Sequence, residues 1–364
     1  MLKKYKESVE DYSKGIELEP DDYHAYISRG KSYMSMAEAE KPGNKSAFKK
    51  SIKDFDKAIN MSPDDPQPWF FRGRSKLKSG DYPPKYAMDD LYEASALKPD
   101  YFEPIELRAR IYYDLGDFAT AYEEIKKAIT IKGDIGRLYL VRGACKSNLK
   151  KDHAVVYEDF NRAIELDPEL AEAYLGRGIA NVNLNHLHNG IKDLDEAIRR
   201  GIADPFSAFI YNGRAKGELL DYEGSIAEYT SAIELKPEFP DTYVNRGIML
   251  TALNKHKEAL ADFIKAVELG YKDPLIYDWL GQTRNQLKDY KGAIADVEEG
   301  LKIDPEYLAF YNRIGKAKYY LGDFEGAREA QLVALKIDPN DKWALEAMAF
   351  LDKEEAKRKA WKKN

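Results

Sequence analysis

Six arginines recur at one position of a repeating pattern, and they are the side chains of this 364-residue chain best suited to do chemistry. They are Arg29, Arg72, Arg108, Arg142, Arg177 and Arg246. A carboxylate follows each of them at a matching position, namely Asp54, Asp90, Glu124, Asp159, Asp193 and Asp262. The arginines could form a ladder for an anionic ligand, or each could pair with its carboxylate inside the fold. The sequence favours internal pairs, because Ala330 replaces the carboxylate where Ile314 replaces the arginine.

The other reactive side chains are few and isolated. The chain has five histidines and one cysteine. His186 and His188 have a spacing that metal ligands use, but two ligands in a turn do not complete a zinc site. Cys145 stands at a small-residue position of a helix, which indicates packing rather than nucleophilic chemistry. Neither a His-Glu-x-x-His motif nor a serine elbow is present. We therefore expect no catalytic residue, no metal, no cofactor and no enzyme.

The composition excludes further classes of function. The formal net charge is −6, which argues against nucleic acid as a partner because phosphate binding needs a basic surface. The sequence has no apolar run long enough to span a membrane, so we expect no membrane insertion. The opening residues, MLKKYKESVEDYSKG, contain no apolar stretch of the kind that signal peptides use. A cytoplasmic location is the expectation.

The arginines belong to a repeat that runs nearly from end to end. One register of small residues is Gly30, Gly73, Ala109, Gly143, Gly178, Gly213, Gly247, Gly281 and Gly315. A second register is Gly15, Ala58, Ala94, Ala128, Ala163, Ala197, Ala232, Ala266, Gly300 and Ala334. Most steps in both are 34 or 35 residues, a period typical of stacked repeats. Stacked helical repeats build extended surfaces that bind other molecules.

Each repeat reads as two amphipathic helices. In one repeat, Tyr243, Gly247 and Leu250 have helical spacing, and Ala259, Phe263 and Val267 have it again after a short turn. Two helices approach closely where one presents a small side chain and the other a large one. The two registers therefore predict where the paired helices touch.

At this point the chain resembles the tetratricopeptide repeat family. The family pattern is an aromatic residue, a glycine, a Leu-Gly-x-aromatic turn, an alanine, a large apolar residue, another alanine and a proline. The turn occurs here as Leu115-Gly116-Asp117-Phe118, and the proline as Pro168 and Pro305. The resemblance covers about residues 1 to 341.

The resemblance implies an all-α fold, a right-handed α-solenoid superhelix of stacked antiparallel helix pairs. We expect an N-terminal half-repeat over residues 1–21, nine repeats over 22–341, and a capping helix with a basic tail over 342–364. The capping helix is expected to place Trp343, Ala347, Met348 and Leu351 on its packed face.

In this family the first helix of each pair lines a concave groove, through residues two and three before the glycine and one, four and five after it. The groove residues implied here are Phe70, Phe71, Arg74, Leu107, Arg110, Tyr113, Val141, Ile179, Tyr211, Arg214, Trp279, Arg313, Lys316, Tyr319 and Tyr320. Aromatic residues interleaved with arginine are the types that anchor peptides. We expect the main anchor at Phe70, Phe71 and Tyr113, beside Arg74 and Arg110.

The sequence thus predicts a non-enzymatic protein–protein interaction scaffold that binds a peptide or helical segment of a partner in its groove. One alternative is a scaffold that forms a homodimer through its N-terminal edge, where Tyr5, Val9 and Tyr12 lie on one helix face. Another is the recognition region of a larger protein. The negative net charge disfavours a nucleic-acid-binding helical repeat protein.

Overall fold

A computed structural model describes residues 2–40 and 44–361 of the chain. The basic tail expected at 362–364 therefore lies outside the described residues. Where the chain is described, it consists of helices joined by short turns, without a strand. The predicted all-α array of stacked helices is confirmed.

The helices fall into two compact units, Met1–Leu184 and Asn185–Asn364. The described helices of the first unit are α1 (Leu2–Leu18), α2 (Tyr23–Ala39), α3 (Lys45–Met61), α4 (Pro66–Ser79), α5 (Pro84–Leu97), α6 (Phe102–Asp114), α7 (Phe118–Ile131), α8 (Gly136–Asn148), α9 (His153–Leu166) and α10 (Ala171–Asn183). Those of the second unit are α11 (Leu187–Arg199), α12 (Phe206–Glu218), α13 (Tyr222–Leu235), α14 (Pro240–Ala252), α15 (His256–Glu268), α16 (Leu275–Gln286), α17 (Tyr290–Ile303), α18 (Leu308–Tyr320), α19 (Phe324–Ile337) and α20 (Lys342–Trp361). We call the even-numbered helices A helices and the odd-numbered helices B helices.

Within a repeat, the A and B helices run antiparallel and touch at the small residues. Gly136 at the start of α8 lies against Ala163 near the end of α9, whereas Gly143 further along α8 lies against Phe160. In the second unit, a Cβ at Gly247 would lie 2.6 Å from Cε1 of the buried Phe263. That separation is shorter than any ordinary carbon contact, so only glycine lets the two helices come this close.

The turn between an A helix and its B helix has the same backbone in repeats of different sequence. Gly116 and Gly322 adopt the left-handed conformation, with φ of 80° and 84°, and Leu220 adopts it too, with φ of 64°. The next residue is an aspartate that caps the B helix: Asp221 accepts a hydrogen bond from the backbone N–H of Gly224 at 2.9 Å. Left-handed backbone and cap together reverse the chain and start the next helix.

The recurring arginines are tied inside the fold, as predicted. Arg72 donates two hydrogen bonds to Asp90 on α5, at 3.0 and 2.6 Å, and a third to Asp56 on α3 at 2.7 Å. The arginine thereby joins its own A helix to two B helices. The corresponding pairs within the units are Arg29–Asp54, Arg108–Glu124, Arg142–Asp159 and Arg246–Asp262. Since their carboxylates are buried, these arginines hold neighbouring helices together.

A second position supplies the cation where that arginine is missing. The repeat with Asn212 in place of the arginine pairs Lys216 on α12 with Glu228 on α13. The repeat with Leu280 there pairs Arg284 on α16 with Asp296 on α17. In these two repeats a half-buried carboxylate is therefore paired from a position one helical turn after that of the arginine.

The last helix differs from the prediction in one respect. Ala344 and Leu351 are buried and Ala347 is half-buried, but Trp343 is 75% exposed. Successive residues of a helix point about 100° apart, so burying Ala344 against α19 turns Trp343 away from that contact. The prediction that Trp343 belongs to the packed face is wrong.

None of the helices in the described ranges is both long and apolar enough to cross a membrane.

Candidate functional site

The predicted groove residues differ widely in exposure. Arg110, Lys316 and Tyr320 are exposed, whereas Phe70 is buried, with 8% of its surface accessible. The other eleven are half-buried. The structure gathers several of them around two large cavities, one in each unit.

The first cavity, which we call the N cavity, measures about 740 Å³ and lies among α4, α6 and α8. Phe70, Phe71, Arg74, Leu107 and Arg110 are among the residues that line it. The ring of Phe70 packs edge-on against those of Phe71 and Tyr101, with centroids 5.0 and 5.3 Å apart. These contacts fix the positions of three aromatic side chains that line the cavity.

Three of the charged side chains that line the N cavity are in ion pairs, namely Arg74, Glu106 and Arg137. Arg74 forms an ion pair with Glu38 on α2 at 2.9 Å. Arg137 on α8 forms one with Glu106 on α6 at 2.7 Å, and this hydrogen bond raises the pKa of the arginine. Arg110 forms no ion pair with any residue that the structure describes. It is therefore the predicted arginine best able to meet an anion from outside.

Tyr113 does not join this cavity, although we expected it beside Phe71. It faces a separate cavity of about 260 Å³, together with Leu140 and Ile179. Its hydroxyl accepts a hydrogen bond from Nδ2 of Asn148 at 3.0 Å. Tyr113 lies on the side of α6 that faces α8 and α10, whereas Arg110 and Asp114 on the same helix line the N cavity. The predicted anchor is thus divided between two places.

The remaining predicted residues outside the large cavities pack against their neighbours. Val141 packs against the apolar cluster around α6 and α7. The guanidinium of Arg214 lies 5.0 Å from the ring centroid of Tyr211. Trp279 stacks on Phe263 with centroids 6.0 Å apart. These residues contribute to the surface of the A helices without forming a cavity of their own.

The second cavity, which we call the C cavity, measures about 810 Å³ and lies among α16, α18, α19 and α20. Four predicted residues line it: Arg313, Lys316, Tyr319 and Tyr320. Trp343, Glu346, Ala347 and Phe350 from α20 complete the wall, and sequence reasoning missed them as site residues. The signal was present, because Phe350 follows Lys316 by 34 residues, one repeat length. The last helix continues the A-helix pattern even without the glycine.

Aromatic rings form much of the C cavity and hold one another in place. Tyr320 stacks on Tyr290 with centroids 5.0 Å apart and planes 7° apart. Tyr319 packs edge-on against Phe350 at 5.2 Å. Trp343 at the rim is 75% exposed. The result is an aromatic surface that is open to solvent on one side.

Five carboxamide side chains line the C cavity, and three of them have a buried oxygen without a hydrogen-bond partner. These three are Asn285, Asn312 and Gln331. The orientation of two is fixed by their nitrogens: Nδ2 of Asn312 donates to Asp341 at 3.1 Å, and Nδ2 of Asn285 donates to the backbone oxygen of Arg313 at 3.3 Å. A buried polar atom without a partner carries a free-energy cost that a donor can relieve.

The charged side chains of the C cavity differ in their partners and in their exposure. Arg313 donates two hydrogen bonds to Asp278, at 2.8 and 3.1 Å, so its charge is neutralised from outside the cavity. Lys316 and Glu346 are exposed and lie on neighbouring A helices. Asp341 caps α20 by accepting from the backbone N–H of Ala344 at 2.7 Å.

The one cysteine of the chain is buried in α8. Burial raises the pKa of Cys145 to about 11, so its thiol stays protonated and unreactive at neutral pH. Across residues 2–40 and 44–361, no cluster of three or more His, Cys, Asp or Glu side chains is placed to hold a metal. The arrangement is suited to binding.

Comparison with known proteins agrees with this architecture. The sequence model of the tetratricopeptide repeat family matches residues 105–135, 240–269, 275–307 and 308–341. No curated protein sequence matches the chain.

Solved structures with a similar fold are numerous and distant in sequence. One is the C-terminal part of a TPR repeat-containing protein from Cytophaga hutchinsonii, at 16% identity and a TM-score of 0.52, covering 66% of this chain and 98% of that one. Another is PilF of Pseudomonas aeruginosa, at 12% identity and a TM-score of 0.50, covering 57% and 94%. A chain of the APC/C hetero-tetramer Cut9–Hcn1 has 13% identity and a TM-score of 0.47, covering 94% and 80%. At these identities the likeness concerns the fold alone.

Proposed function

Because the chain is a tetratricopeptide repeat protein and hence a protein–protein interaction scaffold, we propose that it binds an extended or helical segment of a partner in the cavities of its A helices. One observation carries this proposal. Phe71, Arg74, Leu107 and Arg110, which the resemblance to the family implies as groove residues, line a single cavity of about 740 Å³. The proposal assigns no catalytic step to the chain.

The N cavity suits a segment that carries an apolar side chain close to a carboxylate. The apolar side chain would pack on Phe71 and Leu107, and the carboxylate would meet the unpaired Arg110. Aromatic and arginine side chains in a concave surface are the types that dominate binding free energy at interfaces. Arg74 is held by Glu38 and would contribute mainly to the shape of the wall.

Selection from a library of random displayed peptides on the full chain tests the proposal. We expect enriched peptides to contain an apolar residue near an acidic one. The double variant Phe71→Ala/Leu107→Ala should bind them about 30-fold more weakly, since hot-spot residues contribute roughly 2 kcal/mol or more.

The matched control is Tyr86→Ala, which removes an aromatic ring that is 53% exposed on the B helix α5, away from the cavity. It should bind the same peptides as the wild type. Melting curves would establish that both variants fold. Unchanged affinity in the folded double variant would refute a role for the N cavity.

Homodimerisation through α1 is a second candidate. Helix α1 packs on α2, with Ile16 buried and Ser13 accepting a hydrogen bond from Arg29 at 3.2 Å. Tyr12 and Leu18 remain exposed, at 39% and 84%. Sedimentation over a concentration series, with Tyr12→Lys as the variant, tests this. A dimer that the lysine disrupts would support it, and a monomer at every concentration would eliminate it.

A further inference from the structure

We infer that the C cavity binds an arginine side chain of a partner protein. This inference rests on the proposed function, which it deepens by naming the ligand chemistry of the second cavity. Three independent features of the cavity agree on a guanidinium group: its aromatic faces, its unpartnered oxygens and its charge.

The aromatic faces are the first feature. Tyr320, Trp343 and Phe350 are 55%, 75% and 47% exposed, although they line a cavity of about 810 Å³. A guanidinium group is planar and weakly hydrated, so it stacks on such rings more readily than an ammonium group does. The chain itself uses this contact: the guanidinium carbon of Arg358 lies 3.6 Å from the ring centroid of Phe324.

The unpartnered atoms are the second feature. The buried polar atoms without a partner at the C cavity are the carboxamide oxygens of Asn285, Asn312 and Gln331. All three are acceptors, so the group that satisfies them must be a donor. Asn285 and Gln331 are only 5% and 3% exposed, which makes their unmet demand costly. A guanidinium group has five N–H donors and no acceptor, so it is the kind of group that satisfies such oxygens once their side chains turn toward it.

The charge of the lining is the third feature. Arg313, Lys316, Asp341 and Glu346 line the cavity, but Arg313 is already neutralised by Asp278. Lys316 offsets one of the two remaining carboxylates. One negative charge is then left in excess, which favours a cation over an anion or a neutral group.

Fluorescence anisotropy with a labelled Gly-Ser peptide that contains two arginines tests the inference on the full chain. The same peptide is made with citrulline, which keeps the shape of arginine without its charge, and with lysine. We expect the citrulline peptide to bind at least tenfold more weakly than the arginine peptide. The lysine peptide should also bind more weakly, because lysine lacks the planar fork. Equal affinity for arginine and lysine would reveal non-specific attraction to an acidic protein and overturn the inference.

Aromatic variants that keep the net charge locate the site, and a lysine variant tests the role of its charge. Trp343→Ala/Phe350→Ala should lower affinity for the arginine peptide at least tenfold. The control Trp361→Ala removes a tryptophan that is 84% exposed on the same helix but does not line the cavity, and should change nothing. Lys316→Gln, at an exposed position, should strengthen binding at least twofold because it removes the opposing cation. If Trp361→Ala lost binding, or if Trp343→Ala/Phe350→Ala bound the arginine peptide as tightly as the wild type, the peptide would bind elsewhere.

Failure here is distinguishable from failure of the proposed function. If displayed peptides bind the N cavity while the arginine peptide does not bind, only the inference about the C cavity is wrong. If neither binds, peptide binding by the A helices is itself wrong.

Discussion

Arg246 on α14 donates two parallel hydrogen bonds to the carboxylate of Asp262 on α15, each 2.8 Å long. Its third contact reaches Thr230 on α13 at 3.1 Å. The side chain of Asp262 is 8% exposed and that of Arg246 is 21% exposed. The carboxylate is thus the more deeply buried partner. Leaving the carboxylate without its ion pair should therefore cost more free energy than leaving the arginine without it.

We predict that Arg246→Leu destabilises the protein by about 3–5 kcal/mol, because it strands a buried carboxylate. Asp262→Leu should cost less, since the longer arginine side chain can turn its charge toward solvent. The double variant should be close to the wild type in stability, as packed apolar residues often replace a buried pair without loss. Chemical denaturation of the three variants measures these differences. If all three variants lost the same free energy of unfolding, the unpaired charge would not be the cause of the destabilisation.

Glu124 supplies a pH-dependent part of the stability. Burial opposes its ionisation, but the hydrogen bonds and charges of Lys127 and Arg108 outweigh burial and hold the pKa of Glu124 below its ordinary value of 4.5. Because the folded pKa is the lower one, the stabilisation is complete above the unfolded pKa. It is lost as the pH falls through the folded pKa.

The denaturation midpoint of the wild type should therefore fall toward that of Glu124→Gln as the pH is lowered below about 4.5. The matched control is Glu123→Gln, whose carboxylate is 61% exposed and pairs only with Lys126. It should follow the wild type at every pH. A constant difference in denaturation midpoint between the wild type and Glu124→Gln down to about pH 3 would contradict the prediction.

Close packing between paired helices predicts opposite effects for two glycines of the repeat. Gly247→Ala should destabilise the protein by about 1–3 kcal/mol, because its Cβ would press into the ring of Phe263, which is fully buried. Gly15→Ala in α1 should stabilise it by about 0.5–1 kcal/mol, since nothing lies within 4 Å of that Cβ and alanine favours a helix. Denaturation of the two variants checks both signs, and a loss at Gly15 would reveal an unrecognised contact there.

Periodicity was sufficient to predict the helix pairs but not which groove residues share a cavity. Small and large residues at fixed spacing specify which helix faces touch, so contacts such as Gly247 with Phe263 follow from the sequence. Tyr113 and Arg110 are three residues apart on α6, yet they line different cavities, whereas Asp114 next to Tyr113 lines the same cavity as Arg110. Which side of an A helix meets which cavity depends on the packing of whole repeats, which local spacing does not contain.

The role of α20 was missed for a related reason. Trp343 and Phe350 are large and apolar, and a terminal helix with such residues predicts a packed cap. Ala344 and Leu351 of α20 are buried, whereas Trp343 and Phe350 are exposed and line the C cavity. Aligning Phe350 with Lys316 one repeat earlier would have indicated a groove position.

The last prediction concerns the turn between α12 and α13, where Leu220 occupies the left-handed position that Gly116 and Gly322 occupy in other repeats. A side chain with a Cβ pays about 1–2 kcal/mol in this conformation. Leu220 is 69% exposed, so little packing is lost with its side chain. Its backbone N–H donates to Gly217 at 3.0 Å, a bond that glycine keeps.

We therefore expect Leu220→Gly to stabilise the protein by about 1 kcal/mol. The matched control is the adjacent Leu219→Gly, where φ is −82° and glycine gains nothing from its freedom. That variant should lower stability, because glycine there adds entropy to the unfolded chain. Denaturation midpoints of the two variants decide the matter. If Leu220→Gly proved as destabilising as Leu219→Gly, the leucine side chain would have a stabilising contact that outweighs its backbone strain.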